Sequence, residues 1–154
     1  MKISPRILTV VLAGAILAGC AAPTPPSPQI AGVGVGPGNS LPSPRLAGEI
    51  FANVCLKTLP RFAGAKTAIA AYPFTQHPTS GTYYHDFENL SVKLHNDTCS
   101  MVFGSPSDPA AVIPQLAQGT KATINPVPRN IDITSRPGPD GLRYFRMGIK
   151  KSGE

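Results

Sequence analysis

The sequence predicts an α+β domain over residues 45–154, with a twisted antiparallel sheet and two or three short helices packed on one face of it. Three observations predict this class. Apolar residues recur at helical spacing where the domain begins, the period then changes to the alternation of strands, and turn-forming residues separate the strands by short connections. About 110 residues are enough for a single hydrophobic core.

The first helix is predicted from the spacing of its apolar residues. Leu46, Ile50 and Val54 recur every four residues, which places them on one face of a helix over about 45–58. Pro60 follows and cannot continue a helix, so it terminates the segment.

Two further helices are predicted from composition and from their ends. The alanine-rich run GAKTAIAAY forms a short second helix that ends before Pro73. Asp108 and Pro109 are typical of an N-cap and a first helical position, so a third helix begins there. Pro114 should kink or shorten this helix, and Gly119 suits its C-terminal cap.

The strands are predicted from alternation and from the turns between them. The runs TYYHDF, LSVKLH and CSMVF have strand composition, and LSVKLH alternates apolar with polar residues as a half-buried strand does. The tripeptide NDT makes the second and third runs a hairpin. NIDIT and LRYFRMGIK form a last hairpin around the turn-rich connection SRPGPDG. No internal repeat is present.

The N-terminus has the organisation of a secretory signal peptide over residues 1–19. Lys2 and Arg6 supply a charged start, and a run from Ile7 to Leu17 follows that is apolar except for Thr9. This run is too short for a lasting membrane span, which needs about 20 apolar residues.

The four residues Leu17-Ala18-Gly19-Cys20 resemble the lipobox of bacterial lipoproteins at every position. The resemblance implies cleavage before Cys20, a diacylglycerol on its sulfur and attachment to the lipid bilayer through the acylated residue. Ala21 stands where an Asp commonly retains lipoproteins in the inner membrane, so the resemblance implies the outer membrane, facing the periplasm. The alternative is an ordinary signal peptide followed by a chance cysteine.

Residues 20–44 are predicted to be a disordered tether that starts at the lipidated Cys20. Seven prolines and four glycines lie between positions 21 and 44, with no charged residue. Such a segment cannot bury enough apolar surface to offset the entropy of ordering it. The stretch AGVGVGPG lacks the lysine and the flanking elements of a phosphate-binding loop, so a tether is the better interpretation.

Two cysteines remain in the domain once Cys20 is lipidated. Cys55 falls on the apolar face of the first helix, and Cys99 shares a strand face with Met101 and Phe103. In an exported protein such a pair most simply forms a disulfide. A catalytic thiol or half of a metal site are the alternatives.

The polar residues show no catalytic or metal-binding pattern. His77, His85 and His95 lack the spacing of zinc ligands, and surface histidines are the simpler interpretation. No nucleophile elbow and no obvious pair of carboxylates is present. The sequence therefore predicts no catalytic residue, no metal ligand and no cofactor.

Two stretches are candidates for a binding surface. Tyr83, Tyr84 and His85 could line a groove for a sugar or a peptide, and Arg143 and Arg146 could meet phosphate groups of an envelope glycolipid. The alternatives are the ordinary preference of tyrosine for strands and of basic residues for exposed sheet edges. The formal charge of +6 falls to +4 without Lys2 and Arg6, which is a mild bias and does not predict nucleic-acid binding.

The phrases VCLKTLPRFAGA, GTYYH, LSVKLH and CSMVFGS resemble those of an uncharacterised family of small exported bacterial proteins. The resemblance covers about residues 47–105 and implies only the bridge between Cys55 and Cys99, since this family has no assigned activity. The present chain departs from it by the lipobox and the long tether.

The function predicted from these features is that of a membrane-anchored lipoprotein facing the periplasm, serving as a binding or accessory module for an envelope protein or glycolipid. Two alternatives stay open. One is an envelope hydrolase with a dispersed active site. The other is a small inhibitor or immunity-type protein, with HPTSGTYY as the loop that meets its target.

Overall fold

The computed structural model describes residues 29–30, 33–34, 38 and 40–151. The predicted signal peptide and Cys20 lie outside these residues. The elements in chain order are β1 (Gln29–Ile30), β2 (Val33–Gly34), α1 (Pro44–Phe51), a π-helical segment (Ala52–Leu56), α2 (Ala65–Ile69), β3 (Phe74–Gln76), β4 (Tyr83–His85), β5 (Leu90–His95), β6 (Thr98–Ser105), α3 (Pro109–Thr123), β7 (Asp132–Pro137) and β8 (Arg143–Lys150).

Six strands form one sheet in the order β3-β4-β5-β6-β8-β7, and every neighbouring pair is antiparallel. With the three helices this is the α+β fold that the sequence predicts. The edge strand β3 is not among the predicted strands, because its three residues follow a proline and show no alternation.

Alternation gives the sheet two chemically different faces. The helix face carries the apolar positions, such as the cross-strand row Val92, Met101, Met147 and Ile133. These side chains belong to the same core as the buried residues of α1, the π-helical segment and α3. The helix-free face carries the intervening positions, such as the row Ser91, Val102, Arg146 and Thr134.

Helix α1 begins as a capped helix and buries its apolar stripe. The Ser43 hydroxyl accepts a hydrogen bond from the backbone N–H of Leu46 at 3.2 Å, and Pro44 occupies the first turn. The π-helical segment continues it to Leu56, so the predicted helix over 45–58 is confirmed with small shifts at both ends.

Two glycines set the crossing of α1 and α3. A Cβ added at Gly119 would overlap the backbone carbonyl of Arg45, and a Cβ at Gly48 would overlap the carbonyl of Leu116. The two helices therefore approach closely only because both positions lack a side chain. The prediction that Gly119 caps α3 is wrong: the helix runs through Pro114 and Gly119 to Thr123, since Gly119 serves the helix contact.

A disulfide joins the helices to the centre of the sheet. Cys55 of the π-helical segment is bonded to Cys99 of β6 across a sequence separation of 44, with 5.6 Å between the Cα atoms. Both residues are fully buried. The predicted bridge is confirmed, and the two thiols are therefore not free for catalysis or metal binding.

The chain ahead of α1 is attached to the corner between β4 and β5. Ser40 N–H donates to the carbonyl of Phe87 at 3.1 Å, and Asn89 N–H donates to the carbonyl of Ser40 at 2.7 Å. Within the predicted tether, β1 and β2 pair with each other, and β2 lies beside β5. Of the other residues in the predicted tether, residue 38 and residues 40–44 are described, and the rest fall outside the described residues.

Candidate functional site

The register of β4 separates its three candidate binding residues. Tyr83 lies opposite Val92 and so belongs to the helix face, where it packs against the core. His85 has the same parity. Tyr84 lies opposite Ser91 on the helix-free face. The two tyrosines therefore cannot line one groove.

His85 is buried, with 7 % of its surface exposed, so the interpretation of the histidines as surface residues is wrong for this one. Its Nδ1 accepts the backbone N–H groups of Phe87 and Glu88 at 3.4 and 3.1 Å, and its ring packs edge-on against Phe74 at 5.0 Å. Burial lowers the pKa of His85, with the charges of Glu88 and Asp86 acting in the opposite direction. The neutral imidazole therefore stabilises the turn between β4 and β5 by accepting two of its backbone N–H groups.

The two arginines of β8 also point to opposite faces. Arg143 lies opposite Ser105 at the first residue of the strand and shares the parity of Phe145 on the helix face. Arg146 lies between Val102 and Thr134 on the helix-free face and is exposed. Of the five candidate residues, Tyr84 and Arg146 lie on the helix-free face, whereas Tyr83, His85 and Arg143 have the parity of the helix face.

The helix-free face carries several cationic side chains on adjacent strands. Arg146 and Lys150 of β8 and Arg136 of β7 are exposed there, and Asp132 is the acidic residue of β7 on this face. Lys93 of β5 also belongs to this face and has an interaction partner. The arrangement can bind anions, because Arg presents paired donors to phosphate or carboxylate groups.

A tyrosine that the sequence analysis did not single out is buried at the end of the sheet, next to the connection between β7 and β8. Tyr144 is 2 % exposed, and its hydroxyl donates to a carboxylate oxygen of Asp140 in the β7–β8 connection. A Cβ at Gly138 would overlap the Tyr144 ring. Burial first, and the hydrogen bond to Asp140 second, raise the pKa of Tyr144 to about 12, while Asn89 acts to lower it. The tyrosine therefore stays protonated and anchors the connection.

Replacing Tyr144 by phenylalanine should reduce the decrease in unfolding free energy that accompanies a rise in pH from 9 to 11. The folded-state pKa lies above the ordinary value of 10, so the protonated hydroxyl contributes stability that is complete below pH 10 and lost as the pH rises toward 12. Between pH 9 and 11 the wild-type chain should lose about 1 kcal/mol of unfolding free energy more than the variant, measured by urea denaturation. Tyr84→Phe, which leaves Tyr144 in place, should retain the wild-type loss. Parallel curves for wild type and Tyr144→Phe would contradict this role.

A cavity of about 130 Å³ lies between α3 and strands β7 and β8. Its wall is mostly aliphatic and includes Leu116, Ile133 and Met147, with Lys121 also lining it. Ile113, another lining residue, is 44 % exposed, so apolar surface continues from the cavity to the outside. The helical spacing of Ile113, Leu116 and Thr120 indicates that these residues share one face of α3. It does not indicate that β7 and β8 form the opposite wall of the cavity.

The described residues hold no group of three or more His, Cys, Asp or Glu side chains that could bind a metal ion. No helix in the described part of the chain combines the length and apolarity that crossing a membrane requires.

No protein-family model, curated protein or solved structure matches the chain. Its function has therefore to be inferred from its own residues and their geometry.

Proposed function

We propose that this chain is a lipoprotein of the bacterial envelope, anchored in the outer membrane through an acylated Cys20 and facing the periplasm, whose folded domain binds an anionic envelope component. The run Leu17-Ala18-Gly19-Cys20 at the end of a mostly apolar segment carries the proposal. The small residues 18 and 19 leave a peptidase access to the backbone beside a bulky lipid, and a thiol is the nucleophile that alkylation needs.

The anchor is strong, and a lead joins it to the domain. Each acyl methylene that is buried contributes about 0.8 kcal/mol, so two or three chains hold far better than one. Nine residues lead from Cys20 to Gln29, where β1 begins, and β2 lies beside β5 of the sheet. At roughly 3.3 Å per residue this lead spans at most about 30 Å. The domain can therefore reach ligands on the membrane surface as well as in the periplasm.

The helix-free face supports the choice of an anionic ligand. Arg146 and Lys150 lie four residues apart on β8 and have the same parity, so they project from one face of a single strand. Both are exposed. A phosphate group on a glycolipid headgroup offers the oxygens that a guanidinium and an ammonium bind together.

The test of this binding uses the full chain held in phosphatidylcholine vesicles by its own anchor, with a soluble phosphorylated glucosamine disaccharide as the probe. The variant Arg146→Gln/Lys150→Gln should bind the probe about a hundredfold more weakly, because each of the two lost charge-assisted hydrogen bonds to the phosphate contributes about 1.5 kcal/mol. Binding by the wild-type chain should also weaken as salt is added.

The matched control is Arg61→Gln/Lys66→Gln, which removes one Arg and one Lys from exposed positions outside the sheet. It should bind the probe as the wild-type chain does. Equal affinities for the two double variants would assign the ligand to another surface or reject it altogether.

A further inference from the structure

We propose that two copies of this chain pair through their β7 strands, which join two six-stranded sheets across a two-fold axis. The proposal is independent of the lipid anchor and of the anionic ligand. Strand β7 lies at one edge of the sheet, and within the described residues no other strand pairs with its outer side. An open edge is a template for another strand, and natural proteins either block it or use it.

The hydrogen-bond phase of β7 shows which of its backbone groups point outward. Gly138 N–H donates to the carbonyl of Leu142 at 2.7 Å, and these two residues continue the β7–β8 register beyond the pair Pro137 and Arg143. Hydrogen-bonded pairs alternate along an antiparallel ladder. The residues that bond to β8 are therefore Asp132, Thr134 and Arg136.

The intervening residues direct their backbone toward solvent. Ile133 and Ser135 each present a backbone N–H and C=O at the edge of the sheet, where no other described strand pairs with them. Pro137 is the next residue of this parity, and its missing N–H costs no bond to β8 there. The edge thus offers two complete pairs of donor and acceptor, separated by Thr134.

These groups fit a second β7 in an antiparallel register centred on Thr134. In this register Ile133 of one copy faces Ser135 of the other, and the two reciprocal pairs form four backbone hydrogen bonds. Thr134 faces its own copy across the axis. A register centred on Ser135 would instead place Ile133 opposite Pro137, where a donor is missing.

The same register brings opposite charges together twice. Asp132 of each copy faces Arg136 of the other, and both side chains are exposed on the helix-free face. They stand in non-hydrogen-bonded pairs, where cross-strand side chains are closest. Among the described residues the ion pair within one chain is that of Arg45 and Glu49, so neither Asp132 nor Arg136 is already engaged in one.

The helix face of the edge favours a second copy as well. Ile131 and Ile133 are only partly buried, and the exposed Ile113 lies beside the aliphatic cavity next to β7. A second β7 would place its own Ile133 and Ser135 against this apolar strip. A foreign peptide could pair with the edge, but only a copy of this chain supplies both reciprocal charge pairs by symmetry.

Cysteine cross-linking in the full chain tests the two-fold register. Thr134→Cys should form an intermolecular disulfide under mild oxidation, because Cα atoms of a non-hydrogen-bonded pair lie about 4.5 Å apart, within disulfide range. Ser135→Cys is the matched control and should cross-link at least about tenfold less, since it faces Ile133 and not itself. Equal cross-linking of the two variants, or none in either, would overturn the proposal. A disulfide between the thiol introduced by Thr134→Cys and a different protein would assign the edge to that partner and also overturn it.

Charge reversal in the Thr134→Cys chain provides the second arm. Asp132→Arg alone, or Arg136→Asp alone, should weaken self-association about tenfold or more, because two attractive pairs become repulsive. The two single variants should cross-link with each other when co-expressed, because both facing pairs of the mixed dimer are again Arg with Asp. The double variant Asp132→Arg/Arg136→Asp restores the same Arg with Asp pairing within a dimer of identical copies. The double variant should recover the cross-link, and its failure to do so would overturn the register.

Discussion

Replacing Cys20 by alanine is expected to abolish fatty-acid labelling and to remove the protein from the outer-membrane fraction. The thiol of Cys20 is the acyl acceptor that the resemblance to the lipobox implies, and alanine offers no nucleophile. The described part of the chain contains no helix able to take over as a membrane span. Labelling with a radioactive fatty acid, followed by separation of inner and outer membranes, measures both effects.

Two control measurements test whether the effect of the Cys20 substitution comes from lost acylation. Mass spectrometry of the wild-type protein should find a mature chain that begins at Cys20 and carries the mass of its acyl groups. Ala21→Asp should retain the label and shift the protein toward the inner membrane, because the resemblance assigns sorting to that position. A mature chain that begins elsewhere, or that carries no acyl mass, would reject the anchor.

Removing the disulfide is expected to destabilise the domain by about 4 kcal/mol, which is a large part of the stability of most domains. The bond between Cys55 and Cys99 closes a loop of 44 residues, so its loss frees the unfolded chain. Both cysteines are fully buried between the π-helical segment and β6. The double variant Cys55→Ala/Cys99→Ala should therefore unfold at a much lower urea concentration than the oxidised wild type.

The wild-type protein with its disulfide reduced is the matched control for this variant. The reduced protein keeps both sulfur atoms in the core. If the covalent link itself stabilises the domain, reduction should lower the unfolding free energy by nearly as much as the double substitution does. Thiol trapping under denaturing conditions should find both cysteines blocked until a reductant is added. A double variant as stable as the oxidised protein would show that the link contributes little.

The sequence predicted the elements whose signals are local. Strands β5, β6 and β8 have clear alternation, and each is bounded by turn residues, so their positions were found within a few residues. Strand β3 carries only Phe74 as an apolar residue, and it exists because β4 is available to pair with it. The end of α3 was misplaced at Gly119, since the requirement for glycine there comes from α1 and not from the helix terminus.

The candidate site was less predictable because it depends on contacts between distant segments. His85 has the sequence neighbourhood of a surface histidine, yet the unpredicted β3 brings Phe74 against its ring. The cavity unites Leu116 with Ile133, and neither residue is unusual within its own segment. Tyr144 and Asp140 are only four residues apart, but their contact needs the tight β7–β8 connection. The pairing of Cys55 with Cys99 was predictable because a domain with two cysteines allows only one internal disulfide.

The attachment of Ser40 determines where mechanical load enters the domain. If the membrane and a bound ligand move apart, tension along the lead reaches Ser40 before it reaches α1. Its two backbone bonds to Phe87 and Asn89 pass that tension to the corner between β4 and β5. Helix α1, with its close glycine contact, then carries the tension only after these two bonds have opened.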